Sequence, residues 1–140
     1  MRRLIQLVAY LWTLPNTLLG IACGLILAGR FQVVDGVCEV HSPLIAAVLK
    51  RFPLPASAIT VGHVVLARDK QMLAMTRTHE RVHVRQYERW GIMFVPAYLF
   101  ASACLFLQGK DGYRENPFEK EAYAVEGADF NTTSNATNRR

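Results

Sequence analysis

The most constraining feature of this sequence is an apolar stretch over residues 4–29, which contains no charged side chain. It is longer than the about 20 residues that a helix needs to cross the hydrocarbon core of a membrane. Pro15-Asn16 lies in its middle, which fits either one kinked span or two short helices in a hairpin. Together with the Arg2-Arg3 pair before it, the stretch predicts a membrane anchor over residues 1–30 that starts in the cytoplasm.

Three alternatives to a membrane anchor fit the residues of this stretch less well. A cleaved signal peptide has a shorter apolar core, and Ala22 and Ala28 provide only weak cleavage sites. A lipoprotein signal needs a Leu-like residue three positions before its cysteine, whereas Gly20 stands there before Cys23. A buried helical hairpin of a soluble domain is the third alternative, and it stays open.

Composition limits the remaining possibilities. A length of 140 residues fits one domain, and 51% hydrophobic against 19% charged residues excludes intrinsic disorder for its body. The net charge of +5 is compatible with anionic lipid, but no nucleic-acid recognition motif accompanies it, so we expect no nucleic-acid partner. The three cysteines are unpaired in pattern, which argues against a disulfide framework and against cysteine-ligated zinc.

The pattern after residue 30 predicts a mixed α+β domain over residues 31–126. Asp35-Gly36 between β-branched runs indicates a tight hairpin, and residues 58–67 indicate one strand with a bulge at Gly62. Helices are predicted over residues 42–49, over 70–90 with an end at Gly91, and from Asn116-Pro117 to about Val125. The polar tail 127–140 is predicted to be disordered.

The chemistry-bearing motif is His-Glu-x-x-His at residues 79–83. On a helix, His79 and His83 lie one turn apart on one face, so both imidazoles are able to bind one zinc ion. Glu80 beside them is placed to accept a proton from a metal-bound water. The basic side chains of the same helix fall on its opposite face, which places the histidines on the buried side. Two core histidines hydrogen-bonded within the fold are the alternative, and His41 and His63 are taken as structural.

Two imidazoles leave an open site, so a third protein ligand is expected downstream. No histidine follows His83, which leaves carboxylates as candidates. We predict Glu119 as the third metal ligand, with Tyr123 on the same helix face as an orienting or oxyanion partner. Glu121 points away from Glu119 on that helix and is the competing choice. The other candidates are Asp111, Glu115, Glu126 and Asp129.

A purely structural role for Glu119 competes with the ligand role. With Asn116 as helix cap, Glu119 occupies the third helical position and completes a capping-box-like pattern.

These residues resemble the zincin metallopeptidases, in particular the gluzincins, whose third zinc ligand is a glutamate on a later helix. The resemblance implies a zincin-like α+β fold in which His79, His83 and Glu119 bind Zn²⁺ and Glu80 is the general base. Tyr123 stands where that branch usually has Asp or Asn. The pattern over about residues 58–125 is also similar to that of small bacterial membrane-associated proteins with His-Glu-x-x-His, which implies the bacterial inner membrane.

Topology restricts the second apolar run, residues 92–107, which lies between His83 and Glu119. A single crossing there would separate the ligands by about 30 Å, so we predict that this run packs under the site or dips into the membrane and returns. Lys and Arg on both sides favour a cytoplasmic site, and the same rule favours a hairpin for residues 4–29.

The predicted function is that of a membrane-associated zinc-dependent metallopeptidase, in which Glu80 is the general base toward a zinc-bound water that attacks peptide bonds. Its expected partners are a peptide or protein substrate, membrane lipid and a second copy of the chain. The alternative is a non-catalytic membrane protein with a structural zinc site or a partner-binding role.

Overall fold

The computed structural model describes residues 2–52 and 56–137 and has a mixed α+β architecture, as predicted. Its elements follow in the order α1 (Arg2–Ile26), β1 (Arg30–Val34), β2 (Val37–His41), α2 (Pro43–Lys50), β3 (Ala58–Val61), β4 (Val64–Ala67), α3 (Lys70–Trp90), the short 3₁₀ turn η1 (Gly91–Met93), α4 (Phe94–Leu107) and α5 (Pro117–Thr137).

A four-stranded sheet with the order β1-β2-β4-β3 forms the centre of the fold. β2 and β4 are parallel, and the two outer pairs are antiparallel. Alternate side chains of β4 therefore enter different cores. Val65 packs with Leu73 of α3 on one face, while Leu66 packs with Ile45 of α2 and is joined by Ile21 of α1 on the other. The sheet is thus covered by α3 on one side and by α1 and α2 on the other.

Both hairpins of the sheet turn on two residues. Asp35 and Gly36 have φ values of 49° and 78°, which is the left-handed pair that a type I′ turn requires, so the predicted hairpin is confirmed. The prediction of one bulged strand over residues 58–67 is wrong, because β3 and β4 are two strands joined at Gly62-His63. Gly62 has a φ of 64° in the first central position, where glycine reverses the chain instead of bulging it.

The apolar N-terminal stretch is one helix, so of the two predicted forms the single helix is observed and the hairpin, which the charge pattern favours, is wrong. Pro15 lies inside α1 without ending it, and the polar side chains around it hold the helix to the rest of the fold. Thr13 and Thr17 hydrogen-bond to the β3–β4 turn, and Asn16 donates to the carbonyl of Gly91. The helix is therefore packed on the domain over much of its length, along β3, β4, α3 and η1.

Glycines allow α1 to approach the sheet closely. A Cβ atom at Gly20 would lie 2.8 Å from the Val64 Cβ and 2.9 Å from the Val61 carbonyl oxygen. A Cβ at Gly24 would meet the ring of Phe31 at the same distance of 2.8 Å. These contacts are too short for any side chain, so the helix–sheet spacing depends on both glycines.

Gly20→Val is accordingly expected to lower the free energy of unfolding by about 1–3 kcal/mol, because the added side chain overpacks this contact. Denaturant unfolding followed by circular dichroism measures the change. Ala22→Val on the exposed side of α1 adds similar bulk and serves as the control, with a loss below about 1 kcal/mol from helix propensity alone. Equal losses in the two variants would contradict the close packing of Gly20.

The other helices begin where their caps predict. Ser42 accepts a hydrogen bond from the Ile45 amide at the start of α2, and Asp69 accepts one from Met72 at the start of α3. Asn116 accepts from the Phe118 amide at the start of α5. That helix continues to Thr137, past the predicted end at Val125, so the expected boundary at residue 127 falls inside it. Propagation adds one hydrogen bond per residue without a new nucleus, which allows a helix to continue through weak formers.

Two helical segments within the described ranges are long and apolar enough to cross a membrane, judged by length and composition alone. They are Leu4–Ile26 and the end of the continuous run Lys70–Leu107. A buried core helix or a signal sequence passes the same test.

Candidate metal centre

The site lies where α3, α5, α4 and β3 meet. α3 turns His79, Glu80 and His83 to its buried side, while its basic residues Arg77 and Arg81 bind Glu39 of the sheet. These two arginines pack against a buried carboxylate, so α3 is covered on both sides and its basic side is not the solvated face of a one-sided amphipathic helix. α5 brings Glu119 to the two histidines across an interval of forty residues.

Three ligand-type side chains converge at this point. The His79 Nε2 lies 3.2 Å from the His83 Nε2 and 3.2 Å from Glu119 Oε2, and the His83 Nε2 lies 3.5 Å from Glu119 Oε1. Ligand atoms at about 2.0–2.1 Å from a tetrahedral ion lie about 3.3 Å from one another. The buried group His79, His83 and Glu119 therefore has the spacing to hold one metal ion.

Gln86 fixes the His83 ring in the orientation that a metal requires. Its amide nitrogen donates to the Phe118 carbonyl at 3.0 Å and to Glu121 Oε2 at 2.9 Å. The amide oxygen of Gln86 must then be the atom 2.8 Å from the His83 Nδ1, which donates to it. A neutral His83 consequently carries its proton on Nδ1 and presents the lone pair of Nε2 to the site.

His79 is oriented in a similar way from the other side. Its Nδ1 faces Glu126 Oε2 at 3.4 Å, and the ring of Tyr123 packs edge-on against its imidazole at a centroid distance of 4.6 Å. Glu126, one of the downstream candidates for ligation, thus lies behind the ring and not on the metal side. The Tyr123 hydroxyl lies 3.3 Å from that of Tyr113, and its role toward an oxyanion stays a prediction.

Glu119 is held ionised inside the fold. Only 3% of it is exposed, and the Tyr98 hydroxyl donates to its Oε1 at 2.7 Å. Burial pushes the pKa of this carboxyl upward, but the two adjacent imidazoles and the hydrogen bond from Tyr98 outweigh burial and hold the pKa at about 2. A carboxylate that stays charged while buried is suited to a cation.

The structure separates Glu119 from its competitor Glu121. Glu121 accepts hydrogen bonds from the Gln86 amide at 2.9 Å and from the Arg89 guanidinium at 3.0 Å. These contacts place its carboxylate on the Nδ1 side of His83, away from the Nε2 atom that faces the ligand group. Of the two, only Glu119 reaches the histidine Nε2 atoms.

Glu80 lies beside the ligand group without belonging to it. Thr60 of β3 donates to its Oε2 at 2.6 Å, and burial raises the pKa of the Glu80 carboxyl. A carboxyl with a raised pKa is better matched to accepting and returning a proton near neutral pH. Glu80 lies next to the candidate ion site and has one oxygen held by Thr60, an arrangement that is compatible with the predicted role of general base.

Two cavities meet at this carboxylate. The larger, of about 420 Å³, also contains both histidines and Glu119 and is walled largely by apolar side chains, among them Phe52, Ile59, Phe94, Val95 and Leu99. The smaller, of about 300 Å³, is more polar, with Ser57, Thr76, Tyr123 and Glu126 in its wall. A ligand that passes Glu80 would therefore have an apolar part on one side and a polar part on the other.

The sequence pointed only indirectly to the residues that complete this site. Gln86 was visible as a polar residue on the histidine face, and Thr60 as a polar position in a strand. Tyr98 gives the weakest signal, because it is a single hydroxyl in the apolar run 92–107.

The apolar run 92–107 forms η1 and α4 beside the site, so the two histidines and Glu119 remain together. His63 does not approach them, because it bonds to Thr13 and Glu88.

The chain matches no family model, no curated protein and no solved structure. The resemblance to zincins therefore stays a prediction, and the assignment of chemistry to this site rests on the residues within it.

Proposed function

We propose that this chain is a zinc-dependent metallopeptidase with a zincin-like arrangement that works at a membrane. The observation that carries the proposal is the convergence of His79 Nε2, His83 Nε2 and the Glu119 carboxylate within 3.2–3.5 Å of their neighbours, next to Glu80 and a cavity. A structural zinc site is closed by four protein ligands, whereas three ligands beside a cavity leave a position for water and substrate.

Zinc is the metal that this donor set favours. Two neutral imidazoles and one carboxylate suit zinc, whereas magnesium and calcium prefer sets composed of oxygen atoms. Within the described residues, no cysteine sulfur joins the ligand group, which is the composition of a catalytic rather than a structural zinc site. Zinc bound there would lower the pKa of a coordinated water toward about 7 and polarise a carbonyl group.

The residues of the chain divide the remaining work. Glu80 accepts the proton of the attacking water and passes it to the leaving amine, while Thr60 holds one of its oxygens in place. Gln86 and Glu126 keep the imidazoles turned toward the ion. Tyr98 fixes the Glu119 carboxylate by its hydrogen bond at 2.7 Å.

The shape of the site favours an extended peptide as substrate. β3 is an edge strand of the sheet, and its residues Ala58, Ile59 and Thr60 line the larger cavity. An edge strand offers unpaired amide and carbonyl groups to an extended chain. The apolar wall of the same cavity accepts a bulky apolar side chain next to the bond that is cut.

Metal removal tests this proposal. Chelation of the purified protein is expected to lower its apparent melting temperature by at least about 8 °C, since an ion at a thousand times its Kd contributes about 4 kcal/mol. It should also stop cleavage of a defined peptide mixture, with products followed by mass spectrometry. Added zinc should restore both properties, whereas magnesium should restore neither. A protein that contains no zinc and melts at one temperature with and without chelator would exclude the proposal.

A further inference from the structure

α1 carries its polar side chains on the side that faces the domain and its apolar side chains on the outer side, opposite to a surface helix of a water-soluble protein. Its side chains Tyr10, Thr13, Asn16 and Thr17 turn inward, where they hydrogen-bond to the two hairpin turns and to the end of α3. Its outward side is apolar, although a water-soluble helix would place polar residues there. That outward stripe consists of Leu4, Leu7, Leu11, Leu14, Leu18 and Leu25, all exposed.

α4 is reversed in the same sense. Its hydroxyl groups turn inward, where Tyr98 donates to Glu119 and Ser102 donates to the Gly112 carbonyl at 2.7 Å. No charged residue occurs between Arg89 and Lys110. The exposed side consists of Val95, Leu99, Phe100, Phe106 and Leu107.

The two helices meet at Gly91. Asn16 of α1 donates to its carbonyl, and the Trp12 ring lies so close that a Cβ at Gly91 would clash with it. Exposed apolar side chains continue across the junction through Trp12, Ile92 and Met93. We call the outward sides of α1, η1 and α4 together the apolar face.

The charges around the apolar face indicate what covers it. Arg2 and Arg3 are the first residues of α1 and Arg30 follows the helix, while Arg89 and Lys110 flank η1 and α4. No Asp or Glu lies within either segment. Apolar surface bordered by basic residues is complementary to a bilayer with anionic headgroups, and tryptophans are enriched at that boundary. Both tryptophans of the chain, Trp12 and Trp90, are exposed beside the junction.

The fold argues against full insertion of α1 across the bilayer. From Tyr10 to Gly24 its inner side is covered by the sheet and its turns, and the sheet has open edges at β1 and β3. Unpaired strand edges and turns are not tolerated in contact with hydrocarbon. The helix is therefore suited to lie in one leaflet, with the domain above it.

We propose that the apolar face docks on the surface of an anionic bilayer, with α1 and α4 immersed in one leaflet. Val95 and Leu99 belong both to this face and to the wall of the larger cavity, so the cavity opens toward the lipid. Its ligand is then an apolar segment of a membrane-borne polypeptide. This inference deepens the membrane part of the proposed function, and the docking itself does not depend on zinc.

Vesicle flotation of the full-length chain tests the docking. The chain is expected to float with vesicles of phosphatidylcholine and phosphatidylglycerol, and to float less with phosphatidylcholine alone or at high salt. Phe100→Glu/Phe106→Glu should weaken vesicle binding at least about tenfold, because two apolar side chains leave the lipid. Phe130→Glu on α5 is the matched control, since Phe130 is 74% exposed against 73% and 77% for Phe100 and Phe106.

Tryptophan fluorescence tests the depth. Trp12→Phe and Trp90→Phe each leave one reporter, and brominated lipids should quench both when bromine lies near the headgroups and less when it lies at the bilayer centre. Far-UV circular dichroism and zinc content check that all variants are folded and loaded.

Three results would overturn the docking. The first is a wild-type chain that stays in the buffer fraction, and the second is a loss of vesicle binding in Phe130→Glu equal to that in Phe100→Glu/Phe106→Glu. The third is a lipid-free oligomer that dissociates in Phe100→Glu/Phe106→Glu, which would assign the apolar face to a second copy. A wild-type chain that floats but neither contains zinc as purified nor binds added zinc would remove the metallopeptidase proposal and leave the docking intact.

Discussion

Glu80→Gln is expected to reduce peptide hydrolysis by at least about 100-fold and to leave the zinc content unchanged. Loss of a positioned general base costs about 10²–10⁴-fold in rate. Glu80 contacts Thr60 but lies outside the ligand group, so the ion has no reason to leave. The amide of glutamine keeps the size of the side chain and its bond to Thr60 while removing the basic oxygen. Initial rates on a cleaved peptide, with metal analysis of the same sample, measure both effects.

The matched control is Glu88→Gln on the same helix. Glu88 is half-buried, bonds to His63 at 3.0 Å and lies away from the metal group, so hydrolysis should stay within about threefold of wild type. Unchanged hydrolysis in Glu80→Gln would argue for the structural-zinc alternative. Loss of zinc from that variant would instead place Glu80 among the ligands.

Glu119→Ala is expected to weaken zinc binding by more than about 100-fold, since even the loss of an orienting partner of a ligand costs about 10–100-fold. The two imidazoles alone supply an incomplete site. Competition with a chromophoric chelator measures the affinity, and the zinc retained after gel filtration gives the stoichiometry. Glu119→Gln keeps the buried volume and separates loss of the ligand from loss of the fold.

Glu121→Ala distinguishes the two acids of α5. Its carboxylate supports Gln86 and pairs with Arg89, so its loss should weaken zinc binding by no more than about tenfold. The larger effect at Glu121 would contradict the observed arrangement, in which Glu119 alone of the two faces both histidines.

The sequence predicted those parts of the fold that depend on local patterns. The Asp35-Gly36 turn, the cap at Ser42 and the end of α3 at Gly91 follow from backbone preferences of single residues. The position of the histidine pair on the buried face follows from helical periodicity. The helix start at Asn116-Pro117 defines which residues share a face, and this predicts Glu119 as the ligand.

The errors arose where distant contacts decide the structure. A hairpin for the apolar stretch followed from counting charges, whereas the observed single helix is held by Thr13, Asn16 and Thr17 on partners far along the chain. A glycine within a strand-like run is the sequence signal both of a bulge and of a two-residue turn, so the sequence alone does not distinguish them at Gly62. Tyr98 belongs to the apolar run 92–107, and only the fold brings its hydroxyl to Glu119.

The forty-residue interval between His79 and Glu119 would couple ion binding to the contact between α3 and α5. An ion shared by α3 and α5 closes a loop that contains all of η1 and α4, and closing so long a loop has an entropic cost that a local contact does not carry. Binding energy from the ion offsets that cost directly. Uptake of an ion would then favour the docking of α5 on α3, so that metal concentration would set how firmly these two helices are joined.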